Sequence, residues 1–127
     1  MSGQFLIVDD EPDLCWALEH LLASKRLPCQ MAQTAQAALD LMQTHRFQLA
    51  FLDVILPDMN GLHLARCLRN LDPCLRIVIL SGYLPNEAAA VAQARHEGLI
   101  CAYFNKPFLH EEILQVIGDL PAAEAAR

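Results

Sequence analysis

The sequence predicts an α/β domain, a parallel sheet with helices on both faces. Three observations point there. Short apolar runs with β-branched or aromatic residues recur along the chain. Amphipathic stretches with helical spacing lie between them. The connections are short, and strand–helix alternation of this kind favours a doubly wound parallel sheet.

Taken in order, Phe5-Leu6-Ile7-Val8 reads as the first strand. Pro12 suits the first turn of a helix, and Leu14, Trp16, Leu18, Leu21 and Leu22 follow at helical spacing. Pro28 to Gln33 is polar and weak, at best an edge strand. Thr34 suits the N-cap of a helix to Thr44 with Ala38, Leu39, Leu41 and Met42 inside. Leu49-Ala50-Phe51-Leu52 is the third strand, and Gly61 to Leu71 the third helix. Arg76 to Leu80 is the fourth strand. The Ala-rich stretch from Asn86 to Glu97 is a helix that stops at Gly98. Ile100 to Phe104 is the fifth strand. Leu109 to Leu120 is the last helix, with Ile113, Leu114, Val116 and Ile117 on one face. Residues 1–120 then form one domain, and 121–127 read as a tail or the start of a linker.

Composition narrows the function classes. The chain has 127 residues, 54% hydrophobic and 19% charged, enough for one domain with a sizeable core. Nine Lys and Arg against fifteen Asp and Glu give a net charge of −6. That balance offers no general attraction to nucleic acid or anionic membranes. Leu49 to Leu56 is too short to span a bilayer and is broken by Asp53. The N-terminus lacks a basic signal region, so the expected location is cytoplasmic. The five cysteines form no C-x-x-C pair, and the five histidines share no metal-ligand spacing. The cysteines read as small buried hydrophobes, the histidines mostly as surface helix residues.

The polar residues fall in an informative place. Asp9 and Asp10 follow the first apolar run, Asp53 the third, Ser81 the fourth, and Lys106 the fifth after Asn105. In an open parallel sheet these are the carboxyl ends of strands, where such folds bind ligands. Strand order 2-1-3-4-5 makes the four contributing strands contiguous and leaves the weak second strand at the edge. Each residue also has a bland reading: Asp9 or Asp10 as a helix cap, Asp53 as a turn residue, Ser81 as a loop serine, Lys106 as a solvated lysine. Their coincidence at four strand ends favours a site. Three converging carboxylates need a cation or a proton, and a hard ion such as Mg²⁺ suits oxygen ligands. With an ammonium and a hydroxyl beside them, the set fits phosphoryl transfer, with Asp53 as nucleophile.

These residues resemble the receiver domain of two-component response regulators. The likeness runs from Phe5 to about Leu120. It rests on Leu-Ile-Val-Asp9-Asp10-Glu, on Leu-Asp53-Val-Ile-Leu-Pro57-Asp-Met-Asn-Gly61-Leu, on Ile-Leu-Ser81-Gly-Tyr and on Lys106-Pro107-Phe108. The resemblance implies a flavodoxin-like (βα)5 fold in which Asp53 accepts a phosphoryl group from a sensor histidine kinase or phosphotransfer protein. It implies that Asp10 binds Mg²⁺ directly, Asp9 through water, and that Asp53 and the Ile55 carbonyl complete the protein ligands. Ser81 and Lys106 would hold phosphoryl oxygens, and Lys106-Pro107 would be cis. Tyr103 matches the aromatic switch position, turning inward when Ser81 moves. The face of the fourth helix, fifth strand and fifth helix would then change for a partner, including a second copy as a homodimer.

Two departures stand out. Ser81 to Lys106 spans a few positions more than usual, with the surplus near Leu84-Pro85 and between Gly98 and Tyr103, so the fourth helix is expected to start late or shift. Ile55 and Tyr83 flank the phosphoryl position where many relatives carry polar groups, and are expected to shield it from water. Such a domain is a substrate and switch, with no enzyme activity beyond its own phosphotransfer and dephosphorylation. The alternatives are a non-phosphorylated pseudo-receiver that binds partners, or the N-terminal regulatory domain of a DNA-binding transcription regulator. An aspartate-nucleophile phosphatase would need an Asp-x-Asp pair, which Asp9-Asp10-Glu11 does not supply. A flavin-binding relative would want bare amides where the first loop carries acids.

Overall fold

Alternation along the strands builds two cores from one sheet. The computed structural model describes residues 4–82, 88–106 and 110–118. Five strands, β1 Gln4–Val8, β2 Cys29–Ala32, β3 Phe47–Asp53, β4 Arg76–Ser81 and β5 Ala102–Asn105, pair in parallel in the order 2-1-3-4-5. Helices α1 Pro12–Ser24, α2 Ala35–Leu41, α3 Gly61–Leu71, α4 Ala88–His96 and α5 His110–Gly118 alternate with them. Successive strand side chains point to opposite faces. Phe5, Ile7, Leu49, Phe51, Val78 and Leu80 therefore pack with Cys15, Leu18 and Leu22 of α1 and Ile113 of α5. Leu6, Val8, Ala50, Leu52, Ile77 and Ile79 pack with residues of α2, α3 and α4. The three inner strands, buried on both faces, read as unbroken apolar runs for this reason.

Several boundaries differ from the sequence expectation. The fifth strand begins at Ala102 rather than Ile100. Gly98 takes a positive φ of 83°, and the amides of Leu99 and Ile100 both reach back to the Ala94 carbonyl. These two buried residues close the end of α4 and fill the core instead of joining the sheet. The second helix ends at Leu41, and Met42 to Thr44 form a turn. Asp53 and Ser81 are the last residues of their strands rather than the first residues after them. The described part of α4 runs from Ala88 to His96, and Asn86 lies outside the described residues. Leu84-Pro85, the Lys106-Pro107 bond, Phe108 and the segment after Gly118 lie outside the described residues.

Side chains fix the connections that carry the site. Thr34 caps α2 as expected, its hydroxyl accepting from the Ala37 amide at 3.1 Å. Asn60 caps α3 by accepting from the Leu62 amide at 2.8 Å. Arg69, in the last turn of α3, donates to the carbonyls of Pro73, Leu75 and Leu99, joining α3 to the loops before β4 and β5. At Gly61 the chain passes so close to β3 that an added Cβ would overlap the Asp53 backbone carbonyl. Among the described residues, no helix is long and apolar enough to cross a membrane.

Candidate functional site

Parallel strands put all their carboxyl ends on one edge of the sheet, and there the predicted residues meet. Asp9 lies just beyond β1, Asp53 ends β3, Ser81 ends β4, and Lys106 follows β5. Asp9, Asp53 and Ser81 are 1%, 7% and 7% exposed, whereas Asp10 is open to solvent. Carboxylate oxygens of Asp9, Asp10 and Asp53 all lie within 4.8 Å of one another. The weak strand β2 sits at the sheet edge, as its missing polar terminus implied.

Lys106 is the counter-charge. Its Nζ is 2.7 Å from Asp9 Oδ2, 3.2 Å from Glu11 Oε1 and 3.4 Å from Asp53 Oδ2. Burial works against its charge, but the bond to Asp9 and the fields of Asp53 and Asp9 prevail and raise its pKa. The backbone aims it as well, since the Lys106 amide donates to the Ser81 carbonyl at 2.6 Å. For Asp53 the balance goes the other way. Burial and then the Asp9 charge lift its carboxyl above the ordinary value, while Lys106 and the Ile55 amide oppose the rise.

Asp9 is not a helix cap. Its Oδ1 accepts from the Glu11 amide at 2.9 Å, one residue before the helix, and α1 begins with no side-chain cap. Asp9 Oδ2 is left for Lys106. The Cys15 thiol donates to the Asp9 carbonyl at 3.3 Å, and burial followed by the Asp9 charge pushes its pKa up to about 11. Cys15 is thus a protonated packing residue at neutral pH.

The loop after Asp53 turns back on itself. Ile55 faces Asn60 across an antiparallel bridge, flanked by bonds from the Leu56 amide to the Met59 carbonyl and from the Gly61 amide to the Val54 carbonyl. In such a pair the two facing residues direct their own N–H and C=O groups outward. The Ile55 amide accordingly points to Asp53 Oδ1 at 3.4 Å, and the same pattern turns its carbonyl away from the bridge. The Ile55 side chain is 53% exposed beside the acids. Tyr83, its expected companion, lies outside the described residues. Tyr103 pairs in register with Ile79, is 39% exposed, and has the Arg95 guanidinium 6.0 Å from its ring centre. It faces outward.

The family model described as the response regulator receiver domain matches residues 5–118. The chain belongs to the response regulator receiver family. Sporulation initiation phosphotransferase F of Bacillus subtilis (strain 168) is 26% identical to this receiver domain over 92% of each chain. The DNA-binding transcriptional regulator NtrC of Proteus hauseri is 27% identical over 91% of this chain but 24% of its own length. A CheY-like receiver domain protein from Methanospirillum hungatei JF-1 superposes with a TM-score of 0.83 at 26% identity, covering 94% of this chain and 93% of that one. The receiver domain spans between 23% and 46% of the length of three curated relatives that it matches.

Three residues near the site escaped the sequence reading. Glu11, the residue before Pro12, reaches Lys106. Its signal was a third acid directly after the Asp9-Asp10 pair. Asp58, five residues after Asp53, binds two amides of α2. Arg95 stands over Tyr103. The last two depend on tertiary placement and had no local signal.

Proposed function

We propose that this receiver domain accepts a phosphoryl group on Asp53 and acts as a phosphorylation switch. The observation that carries the reading is the reach of one lysine. Lys106 bridges three acids, at 2.7 to 3.4 Å, from two other strand ends and the start of α1. A cation clamped among carboxylates beside a serine is what an anionic, transferring group requires.

The donor is the phosphohistidine of a sensor kinase or phosphotransfer protein. An Asp53 oxygen attacks phosphorus and forms the P–O bond. The P–N bond breaks, and the leaving imidazole takes a proton. Asp53 must be ionised to attack, and Lys106 favours that form against the cost of burial. Lys106 then follows the charge onto the phosphoryl oxygens, and the Ser81 hydroxyl donates to another. The side chains of Asp9, Asp10 and Asp53 with the Ile55 carbonyl would hold Mg²⁺. The donor set fits, being all oxygen, anionic and close together. When bound, the ion neutralises both the acids and the phosphoryl oxygens.

The switch follows from the same contacts. As Ser81 moves toward the phosphoryl group, it leaves space into which Tyr103 turns. The α4–β5–α5 face then favours a different partner, biasing an equilibrium that already exists. That partner is an output domain, a second copy or another protein. The test is a purified phosphohistidine donor. Transfer to the wild type should need Mg²⁺, stop with chelator and be absent from Asp53→Asn. Absence of transfer from this donor and from small phosphodonors would favour a protein-binding pseudo-receiver.

A further inference from the structure

Asp58 makes a contact that the phosphoryl chemistry does not use. Its two carboxylate oxygens accept separately from the amides of Ala35 and Gln36, at 2.9 and 3.0 Å. These are the first two residues of α2, whose third amide goes to Thr34. The side chain is exposed, yet both oxygens are occupied, and the Ala35 and then Gln36 amides hold its carboxyl below the usual carboxylate range. A seven-residue helix gains from having three free amides bonded. That gain alone would make Asp58 a cap borrowed from another loop.

Its position on that loop says more. Asp58 sits at the tip of the turn that runs from Val54 to Gly61 and returns Ile55 beside Asp53. The base of the turn is fixed by the Leu56–Met59 and Gly61–Val54 bonds and by burial of Val54 and Leu56. At the tip Pro57 and Asp58 are exposed, and only Met59 is partly buried against the core. The two charge-assisted bonds from Ala35 and Gln36 tie the exposed side of the tip to α2. The direction of the Ile55 carbonyl depends on the peptide plane it shares with Leu56, at the near end of the same turn.

We propose that Asp58 is a positioning residue for the phosphoacceptor loop: by clamping the loop tip to α2 it fixes the Ile55 carbonyl toward the acid cluster. This rests on the reading of that cluster as the Mg²⁺ site. The clamp also makes α2 a second element that senses the loop. Any movement of the Ile55 carbonyl toward a bound ion is felt at Ala35 and Gln36, on the other side of the molecule from α5.

The experiment separates the clamp from simple helix capping. Asp58→Ala removes the clamp, Asp58→Asn keeps one acceptor, and Thr34→Ala weakens the same helix end while leaving the loop tied. Mg²⁺ is titrated into each protein and followed by the amide resonances of Ile55 and Leu56. Hydrogen exchange at Leu56 and Gly61 is read without metal. Asp58→Ala should lower Mg²⁺ affinity by about tenfold, the lower end of what lost outer-shell support costs. Asp58→Asn should fall between it and wild type, and Thr34→Ala within about twofold of wild type. Exchange at Leu56 and Gly61 should quicken in Asp58→Ala only. Equal effects of Thr34→Ala and Asp58→Ala, or no change in Asp58→Ala, would overturn the proposal. If the wild type itself shows no Mg²⁺ response, the metal reading fails, and loop exchange alone decides whether Asp58 clamps the turn.

Discussion

Replacing Asp53, the proposed phosphoacceptor, with its neutral isostere should stabilise the metal-free domain. Asp53 meets Asp9 and Asp10 carboxylate oxygens within 4.8 Å. At an effective dielectric near 20, each such repulsion is at least about 3.5 kcal/mol. Lys106 at 3.4 Å returns about 5 kcal/mol in the same medium. Asp10 is exposed, so its share is screened, and the charge terms nearly cancel. Burial then decides the sign, which agrees with the upward shift of the Asp53 carboxyl. Asn at 53 can keep the bond from the Ile55 amide without the buried charge. The expected gain at neutral pH is about 1–2 kcal/mol, or roughly 3–10 °C in Tm for a domain of this size. The gain must depend on pH. A raised folded pKa means that the wild type is unpenalised below the unfolded value of 3.8 and loses stability as pH rises through the folded value. Asn loses nothing over that window, so the difference opens there and is flat above it. Denaturant melts of both proteins at acidic and neutral pH, with chelator, measure this. A destabilised variant at neutral pH, or a gain that is the same at every pH, would refute the reasoning.

Three further outcomes follow from the same contacts. Gly61→Ala should cost about 3 kcal/mol or more in stability, because its methyl group meets the Asp53 backbone carbonyl; denaturant melts check it. Ile55→Asn should speed loss of phosphate from the phosphorylated domain, since it replaces an apolar cover beside Asp53 with a group that can orient water; release timed after removal of donor checks it, and unchanged release would sink the shielding role. Arg95→Gln should make the inward state of Tyr103 about two- to fivefold more populated, the effect of losing a cation–π contact at an exposed site; the resonance position of fluorinated Tyr103 checks it.

How much of this was legible in the sequence depended on whether a signal was local. Phe5, Leu6, Ile7 and Val8 announced a strand buried on both faces, and each turned out to be fully buried. Asp9, Asp10, Asp53, Ser81 and Lys106 were legible because a parallel sheet must deliver consecutive strand ends to one edge. The start of β5 was not, because Leu99 and Ile100 are apolar for a different reason: they fill the core beneath the end of α4. Taken alone, Asp9 could not be told from a cap, because an acid before a helix looks the same whether its oxygens face the helix amides or a distant lysine. Asp58 and Arg69 were invisible for a related reason. Their partners are backbone groups 22 to 30 positions away for Asp58 to Gln36 and Arg69 to Leu99, and backbone groups leave no mark on sequence.

If Asp53, and no other acid of the cluster, takes the phosphoryl group, the modified residue can be located directly. Borohydride reduction of the phosphorylated domain turns an acyl phosphate of aspartate into homoserine, which peptide sequencing by mass spectrometry can place. Tryptic cleavage after Arg46 and Arg66 isolates Phe47 to Arg66, which holds Asp53 and Asp58. Homoserine is expected at position 53 alone, formed only when Mg²⁺ accompanied the donor. Homoserine at 9, 10 or 58, or none in a domain that remains folded with Mg²⁺ bound, would contradict it.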